Sequence, residues 1–201
     1  MFESGGHQTS LFGSEPVDFD EDFAALERVW LDGEAWIDYC PLWLSGDQRL
    51  YEALADGAEW SQPMVRMYDR EVLTPRLMAK VEPSIHPVVP RIVETLSERY
   101  EVGLDQLSVG WYRDGNDSVA FHGDRIARER PVATVATISL GSPRRFLIRP
   151  KGGGPARSFS LGHGDLVVMG GSCQRTWEHA IPKVGSSAGP RMALMFRHLY
   201  D

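Results

Sequence analysis

Cysteine is almost absent from this 201-residue chain: Cys40 and Cys173 are too few for a disulfide framework and form no CxxC zinc pair. No stretch approaches the roughly 18 consecutive apolar residues of a membrane span. The opening MFESGGHQTSLFG lacks the basic start and apolar middle of a secretory leader, so the expected compartment is the cytoplasm, with reduced thiols. Lysine is scarce as well, 3 against 18 arginines. That ratio suits bidentate contacts to carboxylate or phosphate, although genome composition gives the same bias. Basic residues are nearly missing from residues 1–60, which carry 2 of them against 14 acidic side chains. Residues 61–201 hold 19 basic against 14 acidic, so the net charge of −7 hides a positive balance in the later part, where a basic groove can exist. At 42% hydrophobic and 24% charged, the composition is that of an ordinary globular chain, long enough for one well-buried domain.

Residues 1–60 read as an acidic N-terminal extension with short helices, one over 21–31 and one over 46–60 with Asp47 as its N-cap. Between them AWIDYCPLWL reads as extended chain. Residues 90–100 give the clearest helix: Pro90 suits its first turn, and Ile92, Leu96 and Tyr100 share a face. After Val102 the pattern turns to period two, with strands expected over 107–112, 117–122, 132–140, 144–149, 157–161, 165–169, 173–179 and 191–197. Glycine and proline clusters separate several of them. The pattern predicts a mainly β fold with flanking helices, a sandwich or double-stranded β-helix (jelly roll), forming one compact domain overall over residues 61–201 with the extension before it.

His122-Gly123-Asp124 ends the segment SVAFHGD. On extended chain, residues two apart point the same way, so both side chains can reach one point. Most such pairs are nevertheless surface or turn residues. A second copy, His163-Gly164-Asp165, lies between glycines just before LVVM and 16 residues before His179, room for one hairpin. His122 lies 57 residues before His179, room for several strands. The first copy is therefore the expected ligand pair, with His179 as third ligand, and the second a turn. Two histidines and one carboxylate form a facial triad that leaves three positions of an iron ion open.

Arg191 and Arg197 in RMALMFR are six apart, so on a strand they share a face with Ala193 and Met195. Two inward arginines need anions, because unpaired buried charge is costly. A dicarboxylate cosubstrate or structural salt bridges would supply them. The two backbones stand about 20 Å apart at ~3.3 Å per residue. Arg191 is thus expected to hold the far carboxylate and Arg197 to act nearer the metal.

Taken in order, WYRDGNDSVAFHGD, ISLGSPRRFLIRP, LGHGDLVVMGG, TWEHAIPKV and RMALMFR make residues 107–197 resemble the AlkB family of Fe(II)- and 2-oxoglutarate-dependent dioxygenases. RMYDREVLTPR at 66–76 is similar to the nucleotide-recognition region that precedes the family's core. The resemblance implies Fe(II) on His122, Asp124 and His179, and the 5-carboxylate of 2-oxoglutarate on Arg191 with help from the Tyr112 hydroxyl. Arg197 would lie near the metal-side carboxylate or orient Asp124. The implied reaction is oxidative demethylation of N-alkylated bases in DNA or RNA, releasing formaldehyde, succinate and CO2. The implied partner is alkylated nucleic acid; no membrane partner is expected, and the chain is expected to be a monomer.

A base must leave the duplex to reach a metal inside a barrel. It then wants aromatic stacking, and its backbone wants cations. Tyr68, Trp60 and Trp111 are stacking candidates, with core packing the alternative for each. Arg66, Arg70, Arg76, Arg113, Arg125, Arg149 and Lys151 are phosphate candidates, of which Arg70, Arg113, Arg125 and Arg149 are expected with Tyr68 to bind substrate.

Three positions depart from the family's pattern. Gly110 and Ala193 stand where polar residues often touch 2-oxoglutarate, and Ile126 where an acid often discriminates a cationic base. They leave two alternatives: the same oxygenase chemistry on a small molecule, lipid or protein, or a non-catalytic jelly-roll binding protein.

Overall fold

The computed structural model describes residues 16–67, 70–124, 126, 130–185 and 187–198, with the backbone alone at 65–67 and 70–72. In chain order its elements are β1 (Asp18–Phe19), β2 (Glu27–Trp30), β3 (Ala35–Cys40), β4 (Leu44–Ser45) and α1 (Asp47–Gly57). Then come β5 (Met64–Met67), β6 (Arg70–Leu73), β7 (Leu77–Lys80), a 3-10 turn (Pro83–Ile85) and α2 (Val88–Tyr100). The second half holds β8 (Gln106–Tyr112), β9 (Val119–His122), β10 (Val135–Gly141), β11 (Arg144–Pro150), β12 (Arg157–Leu161), β13 (Leu166–Gly171), α3 (Cys173–Thr176), β14 (Trp177–Ile181) and β15 (Arg191–Arg197).

Among the described residues, seven strands form a major sheet in the order β2-β3-β13-β10-β15-β8-β7, and four form a minor sheet in the order β12-β11-β14-β9. The paired strands are antiparallel throughout, as the expected jelly roll requires. Alternation along each strand decides which side chains reach which core. On β15, Met192, Leu194 and Phe196 join a core under the helices, where Leu50 and Leu54 of α1 and Ile92 and Leu96 of α2 also pack. Ala193 faces the other way, into a second core with Tyr112, Phe146, Ile148, Val167 and Met169. β10 is buried along nearly its whole length because it is covered on both faces, which is why it reads as an almost unbroken apolar run.

The acidic extension is not an appendage. Residues 27–30 pair with 35–40, and β3 in turn pairs with β13 along six residues, so the segment widens the major sheet. Trp43 and Leu44 are buried in the helix-side core. Part of its charge is met locally: Arg28 pairs with Asp38, and Arg91 of α2 with Asp18 and Glu21. The helix expected over 21–31 is absent. The Asp20 carboxylate accepts the backbone N–H of Asp22 and Ala24, closing a turn, and strand pairing with β3 overrides weak helical periodicity beyond it. Asp47 does not cap α1; its carboxylate accepts the N–H of Gly141 at 3.0 Å, tying the helix to the sheet. Pro90 is the third residue of α2, still within the turn whose N–H groups lack helical partners. The strand expected from 173 begins with the helical turn α3 and becomes β14 only at Trp177.

Candidate metal and cosubstrate site

β9 and β14 are neighbours in the minor sheet, and His122 and His179 are direct partners in their register. Their ring centroids are 4.4 Å apart, and Phe146 of β11 lies against the far side of His179 at 5.5 Å. Asp124 follows two residues after His122. Its N–H donates to the side-chain oxygen of Gln174 at 2.9 Å, and the buried Gln174 amide donates on to the Met169 sulfur. Gly123 lies so close to the Gln174 carbonyl that any Cβ there would collide with it, so only glycine allows the bend that brings Asp124 back beside His122. Ligand atoms of His122, Asp124 and His179 all lie within 4.8 Å of one another.

Electrostatics prepare these groups. Burial alone would raise the Asp124 carboxyl, but the Arg197 guanidinium and the two imidazoles hold it down to about 2. Burial, then the charge of His122, push the His179 imidazole down to about 3. Near neutral pH the carboxylate is thus ionised and the His179 ring uncharged, the forms that bind a metal. The Nδ1 of His122 lies 2.9 Å from the Ala120 carbonyl. A proton on Nδ1 makes that hydrogen bond and leaves the Nε2 lone pair facing the cluster.

Arg197 binds Asp124 from β15, Nε to Oδ2 at 3.1 Å, and donates to the Ser108 hydroxyl at 2.7 Å. At the other end of β15, Arg191 is 1% exposed. One of its nitrogens donates to the Ser139 hydroxyl at 2.6 Å; Nε and Nη1 are buried without a partner. Burial pushes its guanidinium down to about 10, opposed by the neighbouring Tyr112. Buried donors left unmade cost roughly 1–3 kcal/mol each, more when charged. The unpartnered nitrogens of Arg191 therefore favour an anion beside them.

The sequence profile of the 2OG-Fe(II) oxygenase superfamily matches residues 47–197. The DNA oxidative demethylase ALKBH2 of Arabidopsis thaliana is 29% identical over 180 residues, covering 69% of this chain and 57% of that protein. The alpha-ketoglutarate-dependent dioxygenase alkB homolog 3 of Mus musculus is 29% identical over 174 residues, covering 75% of this chain and 61% of that one. The chain belongs to the AlkB family of 2OG-Fe(II) oxygenases. It spans about six-tenths of the length of these two relatives. The solved structure of OsALKBH1 matches with a TM-score of 0.62 at 16% identity, over 86% of this chain and 100% of that one, a likeness of fold.

The AlkB-family cofactors are Fe(II) and 2-oxoglutarate, and the residues present fit both. Two imidazoles and a carboxylate are the donor set of a facial iron site, and the orphaned nitrogens of Arg191 suit a carboxylate. Along β8 and β15, Gln106 pairs with Arg197, Ser108 with Met195, Gly110 with Ala193 and Tyr112 with Arg191, so paired rows run from the Arg197 end to the Arg191 end.

Other expected residues lie elsewhere in this AlkB-family chain. Arg113 spends its guanidinium on Asp117, at 2.7 and 2.9 Å. Arg149 points to the opposite side of its strand from Ile148, the neighbour of His179, so it lies on the outer face of the minor sheet. There it pairs with Glu178 at 2.6 Å and covers Phe121. Neither faces the space between the sheets, because strand alternation and a nearer carboxylate decide their direction. Trp60 and Trp111 pack on each other in the helix-side core. Ile126 is 1% exposed in the core between the sheets. Tyr68 and Arg125, and the side chains of Arg66 and Arg70, lie outside the described residues. The second His-Gly-Asp is a turn: His163 has a φ of 47°, and Asp165 accepts the N–H of Leu42 and of Gly162. Gln174, Ser108, Ser139 and Arg144 escaped the sequence reading. Only for Ser108 was there a signal, since it shares the strand face of Tyr112.

Proposed function

We propose that this domain oxidatively removes alkyl groups from the nitrogens of nucleic-acid bases. The reading is carried by the His122–Asp124–His179 cluster, held by Arg197 of a strand whose other end bears Arg191, with two buried donors that lack partners. The names of the relatives, a DNA oxidative demethylase among them, favour a base as substrate. When bound, iron and 2-oxoglutarate supply an oxidation in which the cosubstrate becomes succinate and CO2 and an N-methyl carbon is hydroxylated, then lost as formaldehyde. The chain's own residues hold and orient. His122, Asp124 and His179 hold the metal on one face; Arg191, with Tyr112, fixes the distal carboxylate; Arg197 keeps Asp124 ionised and aimed. Packing of Phe146 against His179 keeps water from one side of the cluster.

The test is formaldehyde release from oligonucleotides bearing N-methylated bases, supplied with Fe(II) and 2-oxoglutarate. Wild type should release it and H122A should not. Release by H122A would remove the metal assignment.

A second reading keeps the chemistry and changes the substrate. It is favoured by Arg113 and Arg149, which are occupied by Asp117 and Glu178 rather than open to phosphates. Binding to single- and double-stranded oligonucleotides across a salt series separates the two, since several phosphate contacts give a steep salt dependence. No binding at low salt favours a non-nucleic substrate.

A further inference from the structure

The cosubstrate cleft holds more positive charge than one carboxylate requires. The guanidinium carbons of Arg191, Arg144 and Arg76 lie 5.3, 5.7 and 5.8 Å from the centre of the Tyr112 ring. Among the described residues none of the three pairs with a carboxylate. Arg144 donates to the carbonyls of Asp114, Asp117 and Pro182, so it is anchored in the frame. Arg76 is held far more loosely, by the Met78 sulfur and by the Ser118 carbonyl at 3.4 Å.

Arg76 arrives from a different direction than the other two. It precedes β7, at the edge of the major sheet, and its side chain crosses β8 at Gly110. A Cβ on Gly110 would lie 3.6 Å from Arg76 Nε and 3.7 Å from its Cδ. Any side chain longer than a methyl group would take the path that Arg76 occupies. Gly110 and its register partner Ala193 are the small residues one step along the same face from the Tyr112–Arg191 pair, on the way to the Arg197 end. A dicarboxylate held by Arg191 would extend from that end toward Ala193 and Gly110, beside Arg76.

We propose that Arg76 is a third cationic ligand of 2-oxoglutarate, reaching the dianion over Gly110. The proposal rests on the assignment of 2-oxoglutarate to the Arg191 cleft. It gives Gly110 a purpose: the missing side chain is replaced by one from the neighbouring edge. A charge-assisted contact contributes roughly 1.5–3 kcal/mol, which is about ten- to a hundredfold in affinity.

The experiment is calorimetric titration of 2-oxoglutarate into the Mn(II)-loaded full chain, comparing wild type with R76M, R76Q and R76K. R76M and R76Q should bind about tenfold or more weakly, R76K should recover part of the loss, and the Mn(II) affinity of all three should match wild type. Binding of 2-oxoglutarate to R76M within twofold of wild type overturns the proposal while leaving the cleft assignment intact. Equal loss of Mn(II) and 2-oxoglutarate binding in both R76M and R76Q overturns it in favour of a structural role. Wild type that takes up Mn(II) but not 2-oxoglutarate overturns the cleft assignment and the proposal together.

Discussion

The Nε of Arg197 lies 3.1 Å from Oδ2 of Asp124, so one residue of the last strand governs a carboxylate 73 positions earlier in the chain. Its charge is the largest of the influences that lower the Asp124 carboxyl against the opposing effect of burial. In R197M the carboxyl rises from about 2 toward the ordinary carboxylate range. Mn(II) affinity at neutral pH should fall about tenfold, as for other partners that orient metal ligands. Binding should also fail at a higher pH than in wild type as the solution is acidified. Calorimetry across a pH series checks both.

Arg191 is a stability liability in the unliganded fold, as the proposed role in holding 2-oxoglutarate would require. Its charge is buried and two of its nitrogens lack partners. Replacement by an apolar side chain of similar length removes that penalty. R191M should melt higher than wild type without ligand, by an amount corresponding to about 1 kcal/mol. It should lose 2-oxoglutarate affinity by roughly a hundredfold, as expected where a charged hydrogen-bonding partner is deleted. Paired melting curves with and without 2-oxoglutarate read both effects.

The sequence made the candidate metal site legible because His122 and His179 end up on strands, with Asp124 two residues past the first, and because spacing and flanking glycines separate the two His-Gly-Asp copies. It also placed the ends of β15 and the inward face bearing Arg191 and Arg197. Other features had no local signature. Glu27–Trp30 became a strand only because Ala35–Cys40 lies beside it. Arg149 looked like a phosphate contact until its direction was fixed by the register with β14. Arg76 looked the same, and its side chain passes instead beside Gly110, 34 residues later. These outcomes depend on contacts between distant segments, which propensity and periodicity do not encode.

Cys173 gives the molecule an alkaline weakness. Burial pushes its thiol up to about 12 from an ordinary value near 9. The raised value means the neutral thiol is favoured by folding. That contribution is intact below pH ~9 and is lost as the pH climbs toward 12, because the unfolded thiol ionises first. Wild type should lose urea stability between pH 9 and 11, and C173A should lose less. Iodoacetamide at pH 8 should label neither Cys173 nor the buried Cys40 until the protein unfolds.

Asp38 is fully buried and depends on Arg28, which binds both its oxygens at 2.6 and 2.8 Å, and on the Tyr100 hydroxyl at 2.9 Å. R28A would strand that carboxylate and uncover the face of Trp36, 3.9 Å from the guanidinium. Breaking a buried pair costs about 3–5 kcal/mol, and the partial exposure of Arg28 reduces this to about 2 kcal/mol. Urea denaturation measures the loss, and the R28A/D38N double variant should recover part of it.

β9 is four residues long, occupies the free margin of the minor sheet, and meets β14 at only two registered positions across an irregularity. One of those positions is the His122–His179 pair itself. A ferrous ion shared by both rings would act as a rivet at the loosest seam of the barrel. Starving a cell of iron should then do more than silence the protein. It should let that margin fray and offer it to proteases, so that abundance tracks iron supply.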